Sequence, residues 1–323
     1  MSGAVAKPVA SLSLDLDDEW TYLLVRADQR WREKPSYLST ALPRILELLT
    51  RHRQLLTFFI VGSDAAVPAN RELLQEVAEA GHAIGNHSQR HEPWLHRYAR
   101  TELDDELARS QDAIECATAR RPVGFRGPGY SLTPAVLEVL IERGFTYDAS
   151  TLPTVIGPLS RAFYFRTTRL SAEERDVRNS LFGTFRDGLR PLRPYRFTMA
   201  AGSILELPVT TMPLLRMPIH MSYLLWLSSL RAGLGCIYLE AALRLCSLRG
   251  VAPSFLLHPL DFMDAKDVPS LAFFPAMNAP ASQKLEQVSE VLERLSGRYD
   301  LVTTDEHAWR LRSSVLPTHS WTP

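Results

Sequence analysis

The sequence predicts an α/β fold, a distorted (β/α) barrel, on three observations. Short apolar runs alternate with segments of helical periodicity from Ser11 to Thr303, the pattern of a parallel sheet crossed by helices. The run Leu55–Val61 is continuously apolar up to Gly62, as in a strand covered on both faces. Asp15, Asp17, His87, His91, Arg126, Asp148 and His258 each fall near or just beyond the end of a predicted strand. In a (β/α) barrel those ends share one rim, and the active site lies there.

The elements follow in order. Ser11–Leu16 alternates and ends in carboxylates, a first strand. Glu19–Tyr37, rich in charge and aromatics, reads as a long loop at a mouth. Thr40 caps a helix to about Arg53, with Leu42, Ile45, Leu46 and Leu49 on one face. Asn70 caps the next helix and Gly81 closes it, so that a strand over residues 82–86 delivers His87. A helix over 101–119 leads to a strand over 123–126. Thr133 and Pro134 open a helix that Gly144 ends, and residues 146–149 form a strand carrying Asp148. Further strands are predicted over 204–209, 253–257 and 300–303, and a helix over 282–295.

The chain of 323 residues reads as one domain, 1–323, interrupted by an insertion of helices and loops over 151–250. It is 46% hydrophobic with zero formal net charge, so no global field recruits nucleic acid. Cys116, Cys236 and Cys246 are an odd count without CxxC spacing and read as reduced thiols. No stretch of signal-peptide character precedes the first acidic residues, and a cytoplasmic location is the expectation.

His87 and His91 stand four residues apart with Ser88 beside the first. Two imidazoles at that spacing meet one metal ion if the backbone makes a single turn. A third ligand must come from elsewhere, and Asp15-Leu16-Asp17-Asp18-Glu19 is the best supplier. Arg126-Gly127-Pro128-Gly129-Tyr130 and Leu256-Leu257-His258-Pro259 close two later strands.

Together SLDLDDEW, HSQRH, RGPGY and LLHP, in this order, resemble the motifs of the polysaccharide deacetylase family, the NodB-homology or carbohydrate esterase 4 group. The resemblance covers roughly 11–153 and 252–305. It implies a distorted barrel of that type and hydrolysis of an N-acyl group, most simply N-acetyl, on an amino sugar, polysaccharide or glycoconjugate. It gives Asp15 the catalytic role and Asp17, His87 and His91 the metal, with Asp18 an alternative ligand. It places Arg126 and Tyr130 on one wall and makes His258 a catalytic histidine. Asp15-Leu16-Asp17 departs from the commoner adjacent aspartates and is similar to an intracellular D-x-D branch.

The residue types suit that chemistry. Zinc is the default ion, with cobalt, nickel or iron(II) able to use the same ligands. Asp15 serves as general base and pairs with Arg126. A backbone N–H near Tyr130 stabilises the oxyanion, and His258 protonates the leaving amine with Asp148 orienting it. His52, His82, His96, His220, His307, His319, Asp261 and Asp305 are read as structural or surface groups.

Nine arginines stand against four acidic residues over 161–196, and 217–230 carries no charge, too short to span a bilayer of roughly 20 residues. The arginines suit phosphate, and the apolar run suits either a barrel cover or peripheral membrane contact. The alternatives to an amino-sugar deacetylase are a deformylase or amidase acting on a lipid-linked phosphosugar or a small non-sugar amide, and a silent glycan-binding module.

Overall fold

A computed structural model describes residues 6–168, 170–179, 181 and 183–321. Its centre is β1 (Val9–Leu16). Leu12, Leu14 and Leu16 face the helices, while Ser11, Ser13 and Asp15 face the barrel interior. Both faces are buried, so the alternation marks two kinds of interior and not an inside and an outside.

β1 is followed by α1 (Glu19–Val25) and α2 (Leu38–His52), then β2 (Thr57–Ile60), α3 (Gly62–Ala65), α4 (Arg71–Glu79) and β3 (Ala83–Asn86). Next come α5 (Arg100–Thr118), β4 (Gly124–Phe125), α6 (Pro134–Glu142) and β5 (Tyr147–Asp148). The span 151–250 holds α7 (Gly157–Thr167), α8 (Ala172–Val177), β6 (Tyr195–Met199), β7 (Gly202–Glu206), α9 (Met221–Leu230) and α10 (Leu234–Arg249). The chain ends with β8 (Ser254–Leu257), α11 (Ala281–Arg298), β9 (Asp300–Thr303), α12 (Thr304–Leu311) and β10 (Thr318–Ser320).

The sheet runs β10-β6-β7-β5-β4-β3-β2-β1-β8, parallel except for the β6–β7 hairpin. β8 takes one edge of β1, pairing Ser11 to Leu14 with Ser254 to Leu257. The other edge is shared: β2 pairs its C-terminal half and β9 its N-terminal half. Among the described residues no ladder joins β8 back to β7. That seam is bridged at Thr210, whose N–H donates to Ser254 O at 3.1 Å and whose Oγ1 accepts the Ser254 N–H at 2.7 Å. The predicted barrel is therefore distorted, with an irregular seam.

The main core packs Leu12, Leu14, Phe58, Ile60 and Phe255 of the strands against Leu42, Ile45 and Leu49 of α2 and Val288, Leu292 and Leu295 of α11. Each such side chain contributes about 1.5–3 kcal/mol when fully buried. A second cluster joins Phe125, Leu137, Leu140, Phe197 and Ile204.

Several local expectations are corrected. Glu19–Tyr37 is not simply a loop: Asp18 caps α1 by accepting the Glu19 N–H at 2.8 Å, and Trp20, Leu23 and Leu24 are buried. α2 begins at Leu38, ahead of Thr40, because burial of Leu38 and Ala41 extends its apolar face. The Asn70 side chain donates to Asp64 O and caps nothing. β6 and β10 were not legible, and the β6–β7 hairpin interrupts the span read as an insertion.

Gly124 lies against the Tyr147 ring, and a Cβ there would stand 2.0 Å from Tyr147 Cζ. Gly124→Ala is expected to lower the unfolding free energy in urea by about 1–3 kcal/mol, the usual range for overpacking. Unchanged stability would mean that β4 and β5 are spaced more widely than described.

Candidate active site

The strand ends bring Asp15, Asp17, His87, His91 and Arg126 together, all buried. The histidine loop is a tight turn, with Ser88 at φ 64° and His91 at φ 52°. Its neighbours hold this left-handed backbone in place. Asn86 Oδ1 accepts the Ser88 N–H at 2.8 Å, and Ser88 Oγ accepts the His91 N–H at 3.1 Å. Glu106 Oε1 accepts the N–H groups of Gln89 and Arg90 at 2.9 and 2.7 Å.

His87 Nδ1 lies 2.6 Å from Arg126 O. A carbonyl only accepts, so Nδ1 carries the proton and Nε2 is left free as a ligand atom. That Nε2 is 3.3 Å from Asp17 Oδ1, and His91 Nε2 is 2.9 Å from the same oxygen. One ligand atom from each of the three residues lies within 4.8 Å of the others. Asp17 Oδ1 and His91 Nε2 are buried without a hydrogen-bond donor. Converging lone pairs of this kind fit a divalent cation, and carboxylate plus two imidazoles is a donor set that zinc and its neighbours accept.

Burial works to raise the Asp17 carboxyl, but the two histidines close beside it outweigh this, and its pKa falls well below the usual carboxylate range. His87 is also desolvated, yet Asp15 and Asp17 together push its pKa up. Asp18 is not part of this cluster. Its Oδ1 accepts the N–H groups of Glu19 and Tyr37, and burial pushes its pKa up to about 6. The geometry thus selects Asp17 over Asp18. Tyr37 holds it there by donating its hydroxyl to Asp17 O.

Arg126 is fully buried. Its Nη1 donates to Asp15 Oδ1 at 2.6 Å and Ser13 Oγ at 3.0 Å, its Nε donates to Ala149 O at 3.0 Å, and its Cζ lies 4.2 Å over the Phe59 ring. The expected pairing with Asp15 is present. Tyr130 borders the same group: burial and the Asp15 charge push its phenol pKa up. Its backbone N–H, however, donates to Gly127 O at 2.9 Å and is not available to an oxyanion.

Asp148 does not orient His258. It accepts the Ser150 hydroxyl at 2.6 Å, and in register it faces Glu206 across β5 and β7. Glu206 in turn accepts the N–H and hydroxyl of Thr151. His258 instead has Ser222 Oγ at 3.2 Å from Nδ1, and that hydroxyl donates to Asp261 Oδ1 at 2.7 Å. Asp261, read from sequence as structural, also accepts the His258 N–H at 2.8 Å. Its spacing three residues after His258 was the available signal. Tyr22 lies within electrostatic reach of both parts of the cleft. Burial pushes its phenol up, and Asp17, Asp261 and Asp15 all add to that shift.

Several arginines of 161–196 are committed to the fold. Arg161 donates to Leu181 O and Gly183 O, Arg178 to Leu24 O and Val25 O, Arg193 to Arg249 O and Arg196 to Arg312 O. Arg169 lies outside the described residues. No helix among the described residues is long and apolar enough to cross a membrane. α9 and α10 place Leu224, Leu225, Leu239 and Leu243 in the main core, as a barrel cover does.

The polysaccharide deacetylase family model matches residues 11–147. Over that stretch, less than half of its length, the chain is similar to the polysaccharide deacetylase family. A peptidoglycan deacetylase of Helicobacter pylori is 29% identical over 109 residues, 34% of this chain and 36% of that protein. A peptidoglycan-N-acetylglucosamine deacetylase of Bacillus cereus is 31% identical over 111 residues, 33% of this chain and 48% of its own length. The chain thus spans less than half of each of these relatives. A crystal structure assigned as a polysaccharide deacetylase from Mycobacterium smegmatis shares the fold, with a TM-score of 0.64, 19% identity, and coverage of 100% of this chain and 96% of that one.

Burial and the neighbouring Asp148 push the Glu206 carboxyl well above its ordinary 4.5. The folded chain therefore keeps that proton to higher pH than the unfolded chain, and stability falls as pH rises through and beyond 4.5. Glu206→Gln, which retains an acceptor for Thr151, is expected to flatten this fall in chemical denaturation between acid and neutral pH. An unchanged pH dependence would show that Glu206 is not the group responsible.

Proposed function

We propose that the protein is a metal-dependent hydrolase that removes an N-acyl group, most simply acetyl, from an amino sugar of a polysaccharide or glycoconjugate. The observation that carries this reading is the convergence of Asp17 Oδ1, His87 Nε2 and His91 Nε2, with no donor assigned to Asp17 Oδ1 or His91 Nε2, beside an Asp15 fixed by Arg126. The names of the matched relatives, a peptidoglycan deacetylase and a peptidoglycan-N-acetylglucosamine deacetylase, support it.

Asp17, His87 and His91 would hold the ion, with zinc first and cobalt, nickel or iron(II) able to replace it. The ion supplies Lewis acidity toward a water and an acyl oxygen. Arg126 anchors Asp15 through Oδ1, so Oδ2 is the oxygen that accepts the proton of the attacking water. His258 delivers a proton to the leaving nitrogen as the C–N bond breaks. We assign no phosphate site to 161–196, because Arg161, Arg178, Arg193 and Arg196 are tied to main-chain carbonyls and Arg190 to Asp187. The three unbridged cysteines support a cytoplasmic setting.

Acid release from N-acetylated glucosamine oligomers and from peptidoglycan tests the proposal. The wild type is expected to release acetate, to lose activity to a chelator and to regain it with zinc or cobalt. Asp15→Asn is expected to lower kcat by about 10²–10⁴ without loss of metal. Formate in place of acetate would favour the deformylase reading. Glycan binding without acid release would favour the silent module. Full activity of Asp15→Asn would overturn the mechanism.

A further inference from the structure

Helix α9 enters the cleft from the segment between β7 and β8 and brings Ser222 to His258. Ser222 Oγ lies 3.2 Å from His258 Nδ1 and donates its only proton to Asp261 Oδ1 at 2.7 Å. A hydroxyl that has given its proton away only accepts from the imidazole. His258 Nδ1 is therefore the protonated nitrogen, and Nε2 is left to exchange protons with a substrate. Asp261 closes the ring by accepting the His258 backbone N–H at 2.8 Å.

The same turn is braced from α11. Lys284, fully buried, donates to Leu260 O at 2.8 Å and Met263 O at 2.6 Å. His220 packs beside this ring. The His220 ring lies 6.0 Å from that of His258 and is driven to a pKa of about 3 by burial and by His258, so it is neutral. Tyr22 lies within electrostatic reach of Asp261. Burial raises the Asp261 carboxyl, opposed by His258, by its backbone N–H, by Ser222 and by Lys284.

We propose that Ser222 is a positioning residue for His258, fixing the imidazole tautomer by linking Nδ1 to the buried Asp261 carboxyl. The inference rests on His258 being the acid of the proposed hydrolysis. As the C–N bond breaks, its electron pair passes to nitrogen, which takes the proton from His258 Nε2, while Nδ1–H stays on Ser222. Part of the catalytic apparatus is thus supplied from outside the span that the family pattern covers.

Two readouts test this on the full chain loaded with zinc. In ¹⁵N–¹H spectra of the histidine side chains, neutral His258 is expected as the Nδ1–H tautomer in the wild type and in Ser222→Thr, and to lose that preference in Ser222→Ala. In acetate release from an N-acetyl amine, Ser222→Ala is expected to lose about tenfold or more in kcat, with KM little changed and Ser222→Thr restoring most of the loss. Hydrolysis of 4-nitrophenyl acetate, whose leaving group needs no proton, is expected to be spared. An Nε2–H tautomer in the wild type would overturn the proposal whatever the kinetics. So would equal losses on amide and ester, or an unaltered kcat in Ser222→Ala. A wild type that releases no acid from any substrate would instead count against the hydrolase reading, and the tautomer would still decide the Ser222 contact.

Discussion

The site depends on one buried guanidinium. Arg126 fixes Asp15 and Ser13 of β1 through Nη1, Ala149 after β5 through Nε, and, through its own carbonyl, the tautomer of His87 after β3. It thereby links three strand ends with one side chain and one peptide unit. A charge so deeply buried is costly unless paired, and losing one partner of such a pair costs about 3–5 kcal/mol. Packing over Phe59 and bonding to Asp15 meet that requirement, so what holds the barrel together at this height also aims the base and one candidate ligand.

The strands and their polar ends were legible because both signals are local. The period of two in β1 and the apolar run before Gly62 follow from burial on both faces. Asp15, Asp17, His87, His91 and Arg126 follow from the order of strand ends around a rim. Asp17 could be separated from Asp18 only in three dimensions. Asp18 caps α1 at the adjacent Glu19 and binds the Tyr37 amide, 19 residues away in the chain. A capping aspartate and a ligating one look alike in sequence.

The errors share a cause. Asp148 stands at a strand end, as a site residue should, yet its register partner on β7 is Glu206, and both carboxyls are buried. The hairpin β6–β7 was hidden in a stretch that appeared as an insertion, because its pairing partners, β5 and β10, are distant in sequence. The arginine-rich span suggested an anion site by composition alone. In the folded chain several of those guanidinium groups cap carbonyls of irregular backbone, which need donors wherever water is excluded. Ser222 illustrates the converse: a serine in an apolar helix has no pattern to mark it, and only its contacts with His258 and Asp261 give it a role.

The central claim is that Asp17, His87 and His91 form a metal centre from which Asp18 is excluded. Elemental analysis of purified wild type, His91→Ala, Asp17→Asn and Asp18→Asn addresses it directly. The account predicts about one divalent ion per chain in the wild type and in Asp18→Asn, and its loss in the other two. Retention of the ion in Asp17→Asn, or no ion in the wild type after incubation with zinc or cobalt, would contradict it.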